Sequence, residues 1–169
     1  MRVRVIAPLV TLLPVIVFLL NYGLFQQPLN DVLERDNRNQ VMTARAHWRW
    51  YVDPTVLVYD LQGASGDATG VDVVRAFLQF AYRQKDRHFD RVELAWRGAS
   101  RFYVQGGDFA ELGRQYPSRS PVDTIPILPG MLYRPNGSRA FSTRPGTFVE
   151  QNQQRLLDFT SFINTWVSR

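Results

Sequence analysis

The sequence predicts an α+β domain: a small two-layer sandwich whose short, mostly antiparallel sheet carries helices on one face. Two observations support this fold class. Some runs are rich in β-branched residues or alternate between apolar and polar residues, as strands do. Other segments carry apolar residues at the three- and four-residue spacing of helices. Because no internal repeat is visible in the 169 residues, one compact core is expected rather than a stacked array.

The amino-terminal segment predicts a single transmembrane helix. No charged residue occurs from Val5 to Asn30, and residues 5–25 are almost entirely apolar, close to the ~20 residues that cross a bilayer core. Arg2 and Arg4 precede this run, so the positive-inside rule places residues 1–4 in the cytoplasm. A cleaved signal peptide and a buried helix of a soluble protein are the alternatives, but no small-residue cleavage pair closely follows the apolar run.

This interpretation predicts a single-pass protein of a bacterial inner membrane. Residues 5–25 would contact the lipid bilayer as a partner, and the remainder would lie in the periplasm. Residues 26–46 are polar and charge-dense, and we expect a linker or a short amphipathic helix there. The exported globular domain is then expected to cover residues 47–169.

Strand and helix signals alternate through the first half of this domain. A strand is predicted within 50–61, and the turn-forming residues 63–67 end it. Thr69 and Asp72 have the spacing of a capping box that opens a helix with a broad apolar stripe. Residues 89–104 alternate in polarity and break at Gly98, which predicts a hairpin.

The second half is harder to assign because prolines recur between residues 117 and 145. Asp108 predicts the N-cap of a short helix over 109–116, and residues 122–128 are compatible with an edge strand. A second capping box at Thr147 and Glu150 opens a final helix. The apolar face of that helix is predicted as Val149, Leu156, Phe159, Ile163 and Trp166.

The amino-acid composition excludes several kinds of catalytic and metal site. The chain has no cysteine, so disulfides, thiolate nucleophiles and iron–sulfur clusters are excluded. Its two histidines, His47 and His88, lack the spacing of metal ligands, so neither a metal nor a cofactor is predicted. The net charge is +5, but only Lys85 is lysine and the densest basic stretch contains interleaved acids, which does not favour nucleic-acid binding.

One candidate binding cluster is formed by Trp48, Arg49 and Trp50. Two aromatic faces and a guanidinium can bind a sugar, a headgroup or a partner protein. The alternative is that both tryptophans lie on one face of a strand and enter the core.

A second candidate region follows the predicted strand. Asp60 lies near its end, and Gly63, Ser65 and Gly66 precede a helix start, where backbone amides favour anions. The spacing matches neither a phosphate-binding loop nor a nucleophile elbow, so a capped turn is the alternative. Arg134 and Arg139 flank a Pro-Asn-Gly sequence typical either of a binding loop or of a surface turn.

These observations favour a non-catalytic binding or assembly module of the bacterial cell envelope with a protein partner. The alternative is a periplasmic hydrolase or ligand-binding protein whose polar residues converge only in the fold. A third hypothesis is that scattered arginines bind an anionic surface or polymer. The sequence does not decide whether the chain is an enzyme, although missing catalytic motifs favour a non-enzyme.

Overall fold

The computed structural model describes residues 6–66, 68–118, 124, 127–141 and 147–167. The helices are α1 (Ile6–Asn21), α2 (Gln27–Arg35), α3 (Gly70–Gln84), α4 (Gly106–Gln115) and α5 (Phe148–Trp166). The strands are β1 (Met42–Arg49), β2 (Asp53–Ala64), β3 (Arg91–Trp96), β4 (Ala99–Gln105) and β5 (Leu132–Tyr133).

The strands form one mixed sheet in the order β1-β2-β3-β4-β5. β2 and β3 are parallel and α3 connects them, whereas the other neighbours are antiparallel. The predicted α+β class is confirmed, and so are the β3–β4 hairpin and the helix that Thr69 and Asp72 cap.

The core lies between one face of the sheet and the helices. Tyr59 of β2 is fully buried against Phe77 of α3 and Trp166 of α5, with ring centroids 5.4 and 6.0 Å away. The Trp166 indole donates a hydrogen bond to the Ala95 carbonyl at 3.0 Å, which ties α5 to β3. The arrangement is consistent with two layers, one of helices and one of strands.

Residues 26–46 contain the short helix that was one of the two expectations there, and they do not form a linker. A π-helical turn (Tyr22–Gln26) continues α1 into α2, in which Leu29 and Val32 are buried, as is Phe25 just before it. β1 begins at Met42, inside the same stretch, which its polar composition did not indicate. The folded unit therefore begins well before residue 47.

None of the helices in the described part of the chain is long and apolar enough to cross a membrane. The first helix, α1, has 16 residues and contains Pro14. Several of its large apolar side chains are exposed, namely Leu13, Val15, Ile16, Phe18, Leu19 and Leu20.

Two further expectations need correction, and a third stays a prediction. β2 begins at Asp53 because Trp50 and Tyr51 form the preceding turn. α4 begins at Gly106, so Asp108 lies in its first turn and is not its cap. The predicted strand over 122–128 falls largely outside the described residues.

The carboxyl-terminal half of the last helix turns the predicted apolar face to the core, where Phe159 and Ile163 are partly buried and Trp166 is buried. Thr147 and Glu150 form the predicted capping box, and Trp166 and Phe162 are buried. Val149 and Leu156, which were expected on the buried face, are exposed.

A buried guanidinium joins α2 to α3. Arg75, 5% exposed, pairs with Asp72 at 2.6 Å and with Asp36 at 3.4 Å, and it donates to Asn39 at 3.1 Å. Burial alone would raise the pKa of both carboxyls. Hydrogen bonds from Arg38 and Gln79 to Asp36, and from Thr69 and Arg75 to Asp72, together with the Arg75 charge, outweigh burial and lower each pKa.

Acid should weaken the fold through this network. A carboxyl whose pKa is lowered by folding stabilises the protein fully above its unfolded pKa, about 3.9, and loses that contribution as the pH falls through the folded value. Urea unfolding between neutral pH and about pH 2 should show this loss. Asp36→Asn should have a lower free energy of unfolding than the wild type at neutral pH and should lose less of it in acid. Asp86→Asn changes a side chain that is 85% exposed, so its free energy of unfolding should follow that of the wild type. An unchanged acid profile in Asp36→Asn would contradict this assignment.

Candidate functional site

The sheet face opposite the helices carries a continuous chain of polar and aromatic contacts. Residues in register across the five strands are His47, Val58, Glu93, Tyr103 and Tyr133. Val58 and Tyr103 are buried, but they do not belong to the core that packs against the helices. We call this surface the arginine face and define it by this row together with Arg45, Arg49, Arg91 and Arg139.

Ion pairs connect β1 to β3 across this face. Arg49 contacts Asp53 at 2.6 Å and reaches over β2 to Glu93 at 3.7 Å. On the other side of Glu93, Arg91 donates from Nε and Nη2 to the same carboxylate oxygen, at 3.2 and 2.8 Å. Hydrogen bonds from Thr55 and Arg49 outweigh desolvation and lower the pKa of Asp53, so this carboxyl is ionised at neutral pH.

Stacked rings continue the chain from β3 to β5. The Arg91 guanidinium lies 5.1 Å from the Tyr103 ring centre. Tyr103 stacks on Tyr133 with centroids 5.2 Å apart and planes inclined by 13°, and Arg139 lies 5.2 Å from the Tyr133 ring. Tyr103 is itself buried in this stack, so the groups that a ligand can reach are the partly exposed Tyr133 and the exposed Arg139.

Positive charge around this face is incompletely neutralised. Among the described residues, Arg45, Arg97, Arg134 and Arg139 have no carboxylate partner. Arg97 and Arg139 instead donate to the carbonyls of Gln62 and Gly130. The surface can therefore attract an anionic group.

Two side-chain amides attach the amino-terminal helices to the outer edge of β1. Asn21 accepts a hydrogen bond from the Trp48 amide at 2.7 Å and donates to the Tyr51 carbonyl at 3.0 Å. Gln26 accepts from the Ala46 amide at 3.0 Å and donates to the Ala44 carbonyl at 3.3 Å. Each amide occupies backbone groups that a neighbouring strand would otherwise use, and so protects the sheet edge.

The π-helical turn explains why both amides reach the strand. Asn21 and Gln26 are five residues apart, a spacing that an α-helix places on different sides but that a π-helical turn brings together. Asn21 is 2% exposed, and both of its amide atoms have partners. We name this arrangement of Asn21, Gln26 and the β1 edge the amide clamp.

The predicted cluster of Trp48, Arg49 and Trp50 is divided by the structure. Trp48 packs edge-on against Phe25, with centroids 5.6 Å apart, whereas Trp50 is 74% exposed. The two tryptophans do not share a strand face because Trp50 and Tyr51 form the β1–β2 turn, with φ of 53° and 65°. Arg49 belongs to the arginine face and also lies 4.5 Å from the Trp50 ring.

Asp60 and the predicted anion loop serve local structure. Asp60 is 5% exposed and accepts hydrogen bonds from the Gly98 amide and from Gln62. Gly63 pairs with Thr43 inside β2, and the Ser65 amide donates to the Val41 carbonyl at 2.8 Å. Gly66 is exposed. These contacts match a capped turn, and they do not place Asp60 with a histidine.

Arg134 and Arg139 lie at the far edge of the sheet. They close a turn in which the Arg134 amide donates to the Ser138 carbonyl at 2.8 Å and the Arg134 side chain donates to the Arg139 carbonyl at 3.2 Å. Both side chains are exposed. Arg139 joins the arginine face through Tyr133, whereas Arg134 is held within the turn.

Sequence reasoning missed Glu93, Tyr103 and Tyr133 as site residues. Glu93 alternates in polarity with Val92 and Leu94 along β3, which is a usable signal, whereas Tyr103 lies between Phe102 and Val104 and no polarity pattern marks it. β5 has only two residues, too short for any pattern, so Tyr133 was not detectable. Asn21 and Gln26 were visible as amides at the end of an apolar run, but the π-helical turn that aligns them was not.

Clefts of two kinds lie among the described residues. One of about 390 Å³ adjoins the β1 end of the arginine face and is bounded by Phe18 and Tyr22 of the helical segment and by Arg45, His47 and Tyr51. A wider one of about 750 Å³ lies between α2 and α3 and includes Asp36, Arg83 and Tyr116. Within the described residues, no group of three His, Asp or Glu side chains is arranged to hold a metal ion.

In comparisons with known proteins, no family model, curated protein or solved structure matches the chain. The function must therefore be inferred from the residues themselves.

Removing the clamp should expose the β1 edge. Asn21→Ala leaves the Trp48 amide without an acceptor, and a lost buried hydrogen bond costs about 1–3 kcal/mol. Hydrogen exchange should accelerate at the Trp48 amide, and the unfolding free energy should fall by that amount. Gln27→Ala, at an exposed neighbouring amide outside the clamp, should leave both unchanged. Equal exchange at Trp48 in the two variants would contradict the clamp.

Proposed function

We propose that this chain is a membrane-attached, non-catalytic binding module of the bacterial cell envelope. Residues 5–25 attach it to the inner membrane, and its arginine face binds an acidic segment of an envelope protein in the periplasm. The observation that carries the proposal is the unbroken chain of contacts from Arg49 through Glu93, Arg91 and Tyr103 to Tyr133, which reaches across the whole sheet.

Several features support a protein partner. Guanidiniums and tyrosines are enriched at the energetic centres of protein interfaces, because they supply flat contact area and directional hydrogen bonds. The uncompensated charge of Arg139 would favour acidic partners and speed their encounter. The internal ion pairs of Arg49 and Arg91 hold the surface in one shape before binding, which reduces the entropic cost of association.

Four carboxyl groups of the described residues are unsuited to act as general acids. A general acid at neutral pH needs a carboxyl whose pKa is raised. Hydrogen bonds lower the pKa of Asp36, Asp53, Asp72 and Glu150, which commits these carboxylates to ion pairs and caps. The Tyr59 pKa is raised by burial alone, inside the core.

A ligand-binding role is the second candidate, and the cleft of about 750 Å³ favours it. Its volume lies within the range of small-molecule sites. The rings of Tyr82 and Tyr116, with centroids 6.5 Å apart, provide aromatic surface there beside the exposed Arg83. The lowered pKa of Asp36 in this cleft supports ligand binding over acid catalysis.

The proposed function can be tested with the full chain reconstituted in lipid and a defined acidic probe, fluorescent poly-glutamate. Arg139→Glu combined with Tyr133→Ala should weaken binding about tenfold, equivalent to roughly 1.4 kcal/mol. Binding by the wild type should also weaken as salt is raised. As the matched control, Arg155→Glu reverses a charge at an exposed position of α5. Its affinity for poly-glutamate should fall only slightly below that of the wild type, because only the net charge of the protein changes.

The same variants should then be crosslinked in native membranes. One envelope protein should be recovered with the wild type and with Arg155→Glu but lost with the double variant. Equal recovery with all three proteins, or equal poly-glutamate affinities, would contradict binding through the arginine face.

A further inference from the structure

The turn between β1 and β2 presents three exposed apolar side chains. Trp50 is 74% exposed, Tyr51 40% and Val52 66%. Both central residues of the turn have positive φ, 53° at Trp50 and 65° at Tyr51, where Asn-Gly is the usual choice. Two bulky aromatics at such positions are unfavourable for folding, and a strained surface residue is a reason to look for a function.

The turn is held against the end of α1. Asn21 donates to the Tyr51 carbonyl at 3.0 Å, and Val52 donates to the Arg49 carbonyl at 3.2 Å. The exposed apolar side chains of α1 therefore continue into the turn. Phe18 and Tyr22, 58% and 46% exposed, line the cleft whose other wall contains Tyr51.

An arginine and a histidine lie directly beside this apolar surface. Arg45 is exposed and has no partner among the described residues, and it lines the same cleft. His47 stacks on Tyr51 with ring centroids 4.3 Å apart. In membrane proteins, apolar side chains contact the acyl chains, tryptophan and tyrosine lie at the interface, and arginine contacts the lipid phosphates. The residues around this turn are of the same three types.

We propose that the β1–β2 turn is a membrane-interface contact, in which Trp50 and Val52 enter the boundary between acyl chains and headgroups while Arg45 meets the lipid phosphates. The proposal rests on the proposed membrane attachment of residues 5–25. It adds an orientation: the β1 edge of the sheet lies on the bilayer, and the β5 edge is about 19 Å farther away, four strand spacings of about 4.8 Å.

The absence of cysteine allows single-cysteine reporters in the full chain. Ile16→Cys reports on α1, Val52→Cys on the turn, and Asn136→Cys on the exposed turn beyond β5. Each variant is labelled with a polarity-sensitive fluorophore and reconstituted in vesicles of phosphatidylcholine and phosphatidylglycerol. Brominated acyl chains then quench any label that enters the membrane.

The Ile16 and Val52 labels should shift to shorter wavelength and be quenched severalfold more than the Asn136 label. Adding Trp50→Ser to the Val52 reporter should reduce its quenching, because the neighbouring anchor is lost. If the Ile16 label is quenched and the Val52 label behaves like the Asn136 label, the turn proposal fails while membrane attachment stands. If the Ile16 label is not quenched either, the attachment itself is refuted.

Discussion

Two side-chain amides determine how the apolar first helix meets the rest of the molecule. Asn21 and Gln26 make three hydrogen bonds to the outer edge of β1, of 2.7, 3.0 and 3.3 Å, and Asn21 makes a fourth, of 3.0 Å, to Tyr51 in the turn that follows. They reach the strand together because the chain makes a π-helical turn between them. The same contacts terminate the sheet, bury Phe25 and position the aromatic turn after β1.

The two faces of the sheet have different environments. One face packs against α2 to α5 through an apolar cluster in which Tyr59, Phe77 and Trp166 are in contact. The other face is organised by arginines that pair with Glu93 and Asp53 or stack on tyrosines. Since the clamp also fixes the exposed side of α1, a membrane bound by that helix would lie beside the β1 edge, leaving Tyr133 and Arg139 to a partner.

Local signals in the sequence predicted the local structure well. Hydroxyl and carboxylate pairs at Thr69 and Thr147 defined two helix starts, and the alternation from residue 91 gave the hairpin. Long-range consequences were not predictable. The strand β1 was not expected within the polar stretch 26–46, and it forms where Met42, Ala44 and Ala46 are buried in the core. Trp50 lies outside the strand because the backbone turns there at positive φ. Of the candidate site, Arg49 and Arg139 were identified, but their contact chain needs residues from four strands whose pairing no local pattern reveals.

The central claim is that the clamp holds α1 and the sheet as one rigid unit. The most direct test is a spin-label distance between Leu19→Cys on α1 and Asn136→Cys beyond β5, measured by pulsed electron paramagnetic resonance on the full chain in lipid nanodiscs. A rigid junction predicts one narrow distance distribution. A broad distribution, with the domain still folded, would show that α1 moves independently and would contradict the fixed orientation on which both proposals depend.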